Sequence, residues 1–169
     1  MQGQDIALLL KLAVGNNSKV PSKILAESLC ISPSEVSKSL QRCEAAGLLY
    51  RSGVEKRANR SALLEFLIHG LKYVFPPTKG PLVRGIPTAV DAEPLRARFS
   101  PGVDPPIVWP CAEGKVRGSS LAPLYKQAPR AALKDAKLYR VLALCDALRE
   151  GRTRERNLAA KMLADEINV

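Results

Sequence analysis

The fold of the first part of this chain follows from residues 23–49, which read KILAESLCISPSEVSKSLQRCEAAGLL. Ser32-Pro33-Ser34-Glu35 has the form of a capping box with proline at the first helical position, so a helix is expected to begin there. Gly47 is the expected C-terminal stop of that helix. Its apolar residues recur at helical spacing and predict one buried face, formed by Val36, Leu40 and Cys43.

Two helices are predicted before this one. The first has an apolar face made of Ile6, Leu9, Leu10 and Ala13, and Gly15-Asn16-Asn17 is its expected stop. The second opens at Val20-Pro21-Ser22, with Ile24, Leu25 and Leu29 facing inward. The pattern therefore predicts a helix-turn-helix over residues 19–50, which is typical of DNA-binding proteins.

Polar side chains line the opposite face of the predicted third helix. With its apolar face buried, an outward stripe is formed by Ser34, Ser37, Lys38 and Gln41, and Glu35 and Arg42 flank it. Such a helix fits the major groove, where we expect Lys38 to read guanine, Gln41 to read adenine and Arg42 to contact phosphate. The alternative is a solvated helix face or a protein contact.

Three motifs make this region similar to MarR-like winged helix-turn-helix transcription regulators. They are the Leu-Ala-Glu-x-Leu run from Leu25, the Ile-Ser-Pro-Ser-x-Val-Ser turn from Ile31 and the Glu-Ala-x-Gly-Leu-Leu exit from Glu44. The resemblance implies DNA binding, a dimer and a wing. Such turns usually have glycine where this chain has Cys30, and a left-handed backbone there costs a residue with a side chain about 1–2 kcal/mol.

The wing is expected to be reduced, because the chain passes from Arg51-Ser52-Gly53 into a new helix within a few residues. The basic residues of this stretch lie where a wing would meet the DNA backbone, so we expect them to act from a loop: Arg51, Lys56, Arg57 and Arg60. A charged connector facing water is the alternative. The next helix, residues 61–75, is apolar on nearly every side and is predicted to be a core helix or a dimer contact, with His69 as a core or interface residue.

The rest of the chain changes character. Of the 13 prolines, 11 lie between Pro76 and Pro129, which excludes a long helix, yet the stretch has too many large apolar residues for a solvated linker. We predict an ordered, irregular layer with a short strand at Ile107-Val108-Trp109. Two C-terminal helices follow, the first capped by Asp135 and stopped by Gly151 and the second capped by Thr153. The fold class is thus mainly α, with a winged-helix-like domain at 1–75 and the proline-rich layer and helical hairpin at 76–169.

Composition favours a polyanionic partner, because 26 Lys and Arg face 16 Asp and Glu, a net charge of +10. One histidine and four unclustered cysteines favour neither a metal site nor a cofactor, and no catalytic motif is present, so an enzyme is not expected. Three of the cysteines, Cys30, Cys43 and Cys145, are expected to be small core residues. The chain start lacks a signal peptide pattern and no apolar run could span a membrane, which predicts a cytoplasmic protein.

These observations predict a sequence-specific double-stranded-DNA-binding transcription regulator: a dimeric repressor that occupies a promoter, with autoregulation from its own promoter as one form of this prediction. The alternative is an antitoxin or adaptor that binds an operon-encoded partner protein through residues 76–169. The segment 138–156 faintly resembles proteins paired with nucleotidyltransferase-type toxins. Its last turn carries Arg149, Arg152, Arg154 and Arg156, expected to be solvated or to bind phosphate or an acidic partner. RNA binding is disfavoured, because no aromatic stacking platform is visible.

Overall fold

The architecture is taken from a computed structural model that describes residues 1–15, 18–100 and 102–168. Helices predominate over strands, as the sequence predicts. The N-terminal helices are α1 (Gly3–Ala13), α2 (Ser22–Leu29) and α3 (Pro33–Ala45). The predicted stop of α1 involves Asn16 and Asn17, which lie outside the described residues.

The turns before and after α3 each contain one residue with a left-handed backbone. Cys30 has a φ of 56° in the left-handed region, so this chain does carry a side chain where such turns favour glycine. Gly47 has a φ of +70°, and the Leu48 N–H donates to the Cys43 carbonyl at 3.0 Å, which closes the end of α3. One prediction for α2 is wrong: Ile24 is 50% exposed, because Leu25, Ala26 and Leu29 already fill the inner face of this short helix.

The basic segment that was expected to be a loop is a β-hairpin. Its antiparallel strands are β1 (Leu49–Ser52) and β2 (Glu55–Ala58), and Ser52 pairs with Glu55 across a two-residue turn. Gly53 has a φ of +57°, which suits the first central position of the tight turns that favour hairpins. Because each strand has only four residues, the hairpin fits between α3 and the next helix, which the sequence pattern did not reveal.

The segment predicted as one helix over 61–75 is two helices, α4 (Arg60–His69) and α5 (Leu71–Val74), with Gly70 between them. Only one face is buried, and it carries Leu63, Leu67 and Leu71. His69 is exposed, so the prediction that it is a core residue is wrong. The alternative, that it lies in an interface, stays a prediction. Of the other apolar side chains, Leu64 and Phe66 are partly buried against the core, and only Tyr73 and Val74 of α5 are largely exposed among residues 60–74.

The proline-rich layer is more regular than predicted. It contains β3 (Lys79–Pro87), β4 (Ile107–Pro110) and β5 (Val116–Leu121), which close into a three-stranded barrel. β3 is antiparallel to both other strands, and β4 and β5 are parallel to each other. The predicted strand at Ile107-Val108-Trp109 is confirmed. The barrel as a whole was not predictable from sequence periodicity, because it is formed by pairing of strands that are far apart in the chain.

Three helices complete the chain. The sequence analysis missed α6 (Ala128–Lys134), and it predicted α7 (Ala136–Glu150) and α8 (Thr153–Asn168). Asp135 caps α7 as expected, since its carboxylate accepts from the backbone N–H groups of Lys137 and Leu138 at 3.0 and 3.1 Å. α7 packs on α1, α6 packs on α2, and buried apolar side chains from both predicted parts form one continuous core.

A buried polar network joins α7 to the barrel. Asp146 accepts hydrogen bonds from Trp109 Nε1 at 2.5 Å, Thr88 Oγ1 at 2.8 Å and Arg149 at 2.6 Å. Arg149 in turn donates to the carbonyl of Phe75 at 2.7 Å. The prediction that Arg149 belongs to a solvated or phosphate-binding turn is therefore wrong: its side chain is 4% exposed and ties the start of the proline-rich layer to α7.

Candidate nucleic-acid interface

The position of α3 is set first by its N-terminus. The Ser32 hydroxyl accepts from the Glu35 backbone N–H at 3.2 Å, which confirms half of the predicted capping box. The Glu35 carboxylate does not reach back to Ser32 and instead accepts from Gln4 Nε2 of α1 at 2.6 Å. The hydrogen bond from Gln4, more than the nearby charge of Lys38, lowers the pKa of Glu35. Glu35 therefore links α3 to α1 at the edge of the outward face.

The outward face of α3 carries the four predicted polar residues Ser34, Ser37, Lys38 and Gln41, all of them exposed. Ser34 Oγ lies 3.1 Å from Ser32 Oγ, and Lys38 Nζ lies 3.5 Å from a Glu35 oxygen while the lysine side chain stays 63% exposed. Because an exposed ion pair of this kind contributes little free energy, Lys38 can leave Glu35 and bind another partner. The stripe thus presents hydroxyl, amide and ammonium groups to the outside.

Arg42, predicted to contact phosphate, points inward. Its Nε and Nη2 donate to the two carboxylate oxygens of Asp5 at 2.8 and 2.7 Å, and the Asp5 side chain is fully buried. Burial by itself raises the pKa of Asp5, but hydrogen bonds from Arg42, the Ser39 hydroxyl and the Gln2 backbone N–H outweigh it and hold the pKa below its usual value. This bidentate pair positions α3 on α1.

The hairpin supplies two exposed arginines. Arg57 is 68% exposed and pairs with Glu55 at 2.9 Å, and Arg51 is 38% exposed and lies 3.6 Å from Glu44. Tyr50, which the sequence analysis did not select, is 62% exposed, and its hydroxyl lies 3.0 Å from Asn59 Nδ2, which donates to it. Tyr50 and Arg57 are directly paired across the two strands and therefore share one face of the hairpin.

The other two predicted basic residues hold the hairpin in place. Lys56 Nζ donates to the carbonyls of Val20 and Val54 at 3.0 and 3.1 Å, and its backbone N–H donates to Ser18 at 2.8 Å. Arg60 donates to the carbonyl of Ala13 at 2.9 Å. The structure therefore groups the α3 stripe with Arg51 and Arg57 as outward residues, while Arg42, Lys56 and Arg60 make internal contacts.

Sequence reasoning also missed two cations of α6, Arg130 and Lys134, which lie near Lys23 of α2. The proline in the first turn of α6 is a local helix signal that could have revealed this helix, but no local signal places it against α2, because that contact is a long-range one.

Four cysteines lie in the described part of the chain. The cysteines there form no disulfide; Cys43 and Cys145 are buried, as expected, whereas Cys30 is only half-buried. Burial raises the pKa of the Cys43 thiol to about 12, which keeps it protonated. Within residues 1–15, 18–100 and 102–168, no three His, Cys, Asp or Glu side chains come together as metal ligands. Over the same residues, every helix is too short or too polar to cross a lipid bilayer.

Comparison with known proteins adds no relative: no family model, no curated protein and no solved structure matches this chain.

Proposed function

We propose that this protein is a sequence-specific double-stranded-DNA-binding regulator of the winged helix-turn-helix type. The observation that carries the proposal is the outward stripe of α3, whose four polar residues are exposed while the opposite face is packed in the core. An α-helix fits the major groove, and residues near its N-terminus reach base edges. Lys38 and Gln41 would read bases, with Ser34 and Ser37 on bases or adjacent phosphates.

The β1–β2 hairpin takes the place of the wing in this proposal. Arg57 and Arg51 extend from it, and among the described residues the side chain of each is paired with one carboxylate at the surface. Exposed ion pairs contribute little free energy, so a phosphate group can replace the carboxylate partner. Contacts of this kind fix the position of a protein on the duplex without reading sequence. The net charge of +10 favours the same polyanionic partner.

A homodimer completes the proposal, because a two-fold dimer presents two recognition helices to two half-sites. Support comes from α5, where Tyr73 and Val74 are 74% and 52% exposed. Large apolar side chains exposed side by side favour an interface. The dimer would repress transcription by occupying a promoter. Sedimentation of the wild type and of Tyr73→Ser/Val74→Ser tests this: a dimer that the double change does not weaken refutes the assignment to α5.

The test of DNA recognition uses the full chain and a library of random duplexes. Selection is expected to enrich a short motif, and fluorescence anisotropy then compares that motif with a scrambled duplex. Lys38→Ala and Gln41→Ala should each cost about 1–3 kcal/mol of discrimination, or about 5- to 150-fold, at the base each residue reads. Lys161→Ala, an exposed lysine on α8, is the control for the loss of one positive charge. A library that enriches no motif, or discrimination that survives both changes, contradicts sequence-specific recognition by α3.

A further inference from the structure

An open cleft of about 450 Å³ lies beside the helix-turn-helix, between α2, the first residue of α3 and α6. Three cationic residues line it: Lys23 from α2, and Arg130 and Lys134 from α6. Glu27 is the one carboxylate among its lining residues, so the cleft has three positive charges against one negative charge. Two of the three cations thus come from the part of the chain that follows the winged-helix-like unit.

These cations are weakly neutralised by the protein itself. Lys23, Arg130 and Lys134 are all exposed, and across the described residues none of them lies in an ion pair with a carboxylate. Glu113 interacts with the positive charge of Arg130. The pKa of Glu113 is lowered mainly by a hydrogen bond from Cys111 and to a lesser degree by Arg130. Several cations around one cleft repel each other, and an external anion relieves that repulsion.

The cleft is also fixed in position relative to α3. The buried Tyr125 hydroxyl donates to the Leu29 carbonyl, at the end of α2, at 3.1 Å. Asp135, which follows α6 directly, forms an ion pair with Lys11 of α1. The inner face of α6 is buried through Ala128, Ala131 and Ala132. Because α6 is attached to α1 and α2 at several points, its cations keep their distance from the recognition helix.

We propose that this cleft binds a phosphate group of the DNA strand that flanks the bases contacted by α3. The inference rests on the proposed function and extends its contact surface beyond residue 75. Pro33 lines the cleft, and the next residue, Ser34, begins the outward stripe, so the two surfaces adjoin. The first helix of a helix-turn-helix crosses the DNA backbone, which places Lys23 and the neighbouring α6 next to phosphates. Arg130 and Lys134 therefore add affinity without adding sequence preference.

The test compares the wild type with Arg130→Gln/Lys134→Gln on duplex DNA between 50 and 200 mM KCl, concentrations at which counterion release dominates affinity. Each lost phosphate contact reduces the magnitude of the slope of log K against log salt by about 0.9. The double variant loses the one phosphate held in the cleft, so its slope should be smaller in magnitude by about 0.9. Binding should weaken by the same factor on the selected motif and on a scrambled duplex. The control Arg98→Gln/Lys161→Gln removes the same charge at exposed sites outside the cleft. Circular dichroism verifies that each variant is folded.

The outcomes separate the two proposals. If the wild type binds its selected motif and the cleft variant keeps the slope of the control, the cleft makes no phosphate contact and this inference falls, while DNA recognition by α3 stands. A loss confined to the selected motif also overturns it, because it would assign base reading to α6. If the wild type binds no duplex at all, the proposed function fails and the inference fails with it.

Discussion

Replacing Arg42 with glutamine tests whether this residue serves the fold or the DNA. The change removes two charge-assisted hydrogen bonds, of 2.8 and 2.7 Å, from the buried Asp5 carboxylate. Breaking a buried pair by removing one partner costs about 3–5 kcal/mol. Asp5 keeps its bonds from Ser39 and from the Gln2 backbone, and Arg42 is 28% exposed, so we expect a smaller loss, about 2–3 kcal/mol.

The assay is urea unfolding at pH 7, followed by circular dichroism. For a chain of this length, a loss of about 2–3 kcal/mol corresponds to a Tm lower by about 4–12 °C. Arg57→Gln, at a side chain that is 68% exposed, is the matched control and should leave stability nearly unchanged. Lys38→Gln should likewise leave the free energy of unfolding nearly unchanged, and we expect it to weaken DNA binding instead.

The same pair predicts how stability depends on pH. The pKa of Asp5 is lower in the folded protein than its ordinary value near 3.8, so the ionised carboxylate stabilises the fold above that value. This contribution is lost as pH falls through the folded-state pKa. The stability difference between wild type and Arg42→Gln should therefore shrink as pH falls below about 4. An Arg42→Gln variant as stable as the wild type at pH 7, yet defective in DNA binding, would refute the structural role of Arg42.

Three further predictions concern stability, each measured by urea unfolding. Cys30→Gly should stabilise the protein by about 0.5–1 kcal/mol, because the gain from relieving a left-handed backbone exceeds the cost of added freedom in the unfolded chain. Gly47→Ala should destabilise it by about 1 kcal/mol, because Gly47 has a φ of +70° and the space around it is open, so only backbone strain acts. Equal effects of the two changes on stability would contradict this backbone argument. Gly114→Ala should disrupt the barrel, since its Cβ would lie 2.2 Å from the Gly85 backbone, and a variant with wild-type stability would show that this contact is wrong. Arg149→Met should cost about 3–5 kcal/mol by leaving Asp146 without its cation, and a loss below about 1 kcal/mol would mean that the network contributes little.

Part of the candidate site was predictable because its signals are local. The Ser32 cap, the proline after it and the spacing of Val36, Leu40 and Cys43 are enough to place α3 and to orient its outward stripe. The stop at Gly47 is a local signal as well, whereas the left-handed turn at Cys30 was expected only from the family resemblance, because a residue with a side chain disfavours it. Which of the basic residues are exposed was not predictable in the same way. Charge in the sequence does not say whether a side chain has an internal partner.

Two of those basic residues show the difference. Arg42 lies beside the predicted stripe, but its partner Asp5 is 37 positions away in α1. Lys56 lies in the hairpin, but it donates to a carbonyl 36 positions earlier. Bonds at such separations exist only after the helices have packed. Sequence spacing alone could not distinguish these residues from Arg57, which remains exposed.

The sequence by itself determined helices α1, α2 and α3, since caps, glycine stops and helical periodicity act over a few residues and need no distant contact. Only the tertiary structure decided that the basic segment after it is a hairpin, that the proline-rich layer closes as a barrel and that α6 adds cations beside α2. Strand pairing and helix packing join residues that are far apart in the chain. Their stability comes from burial and from long-range hydrogen bonds, which no local pattern records.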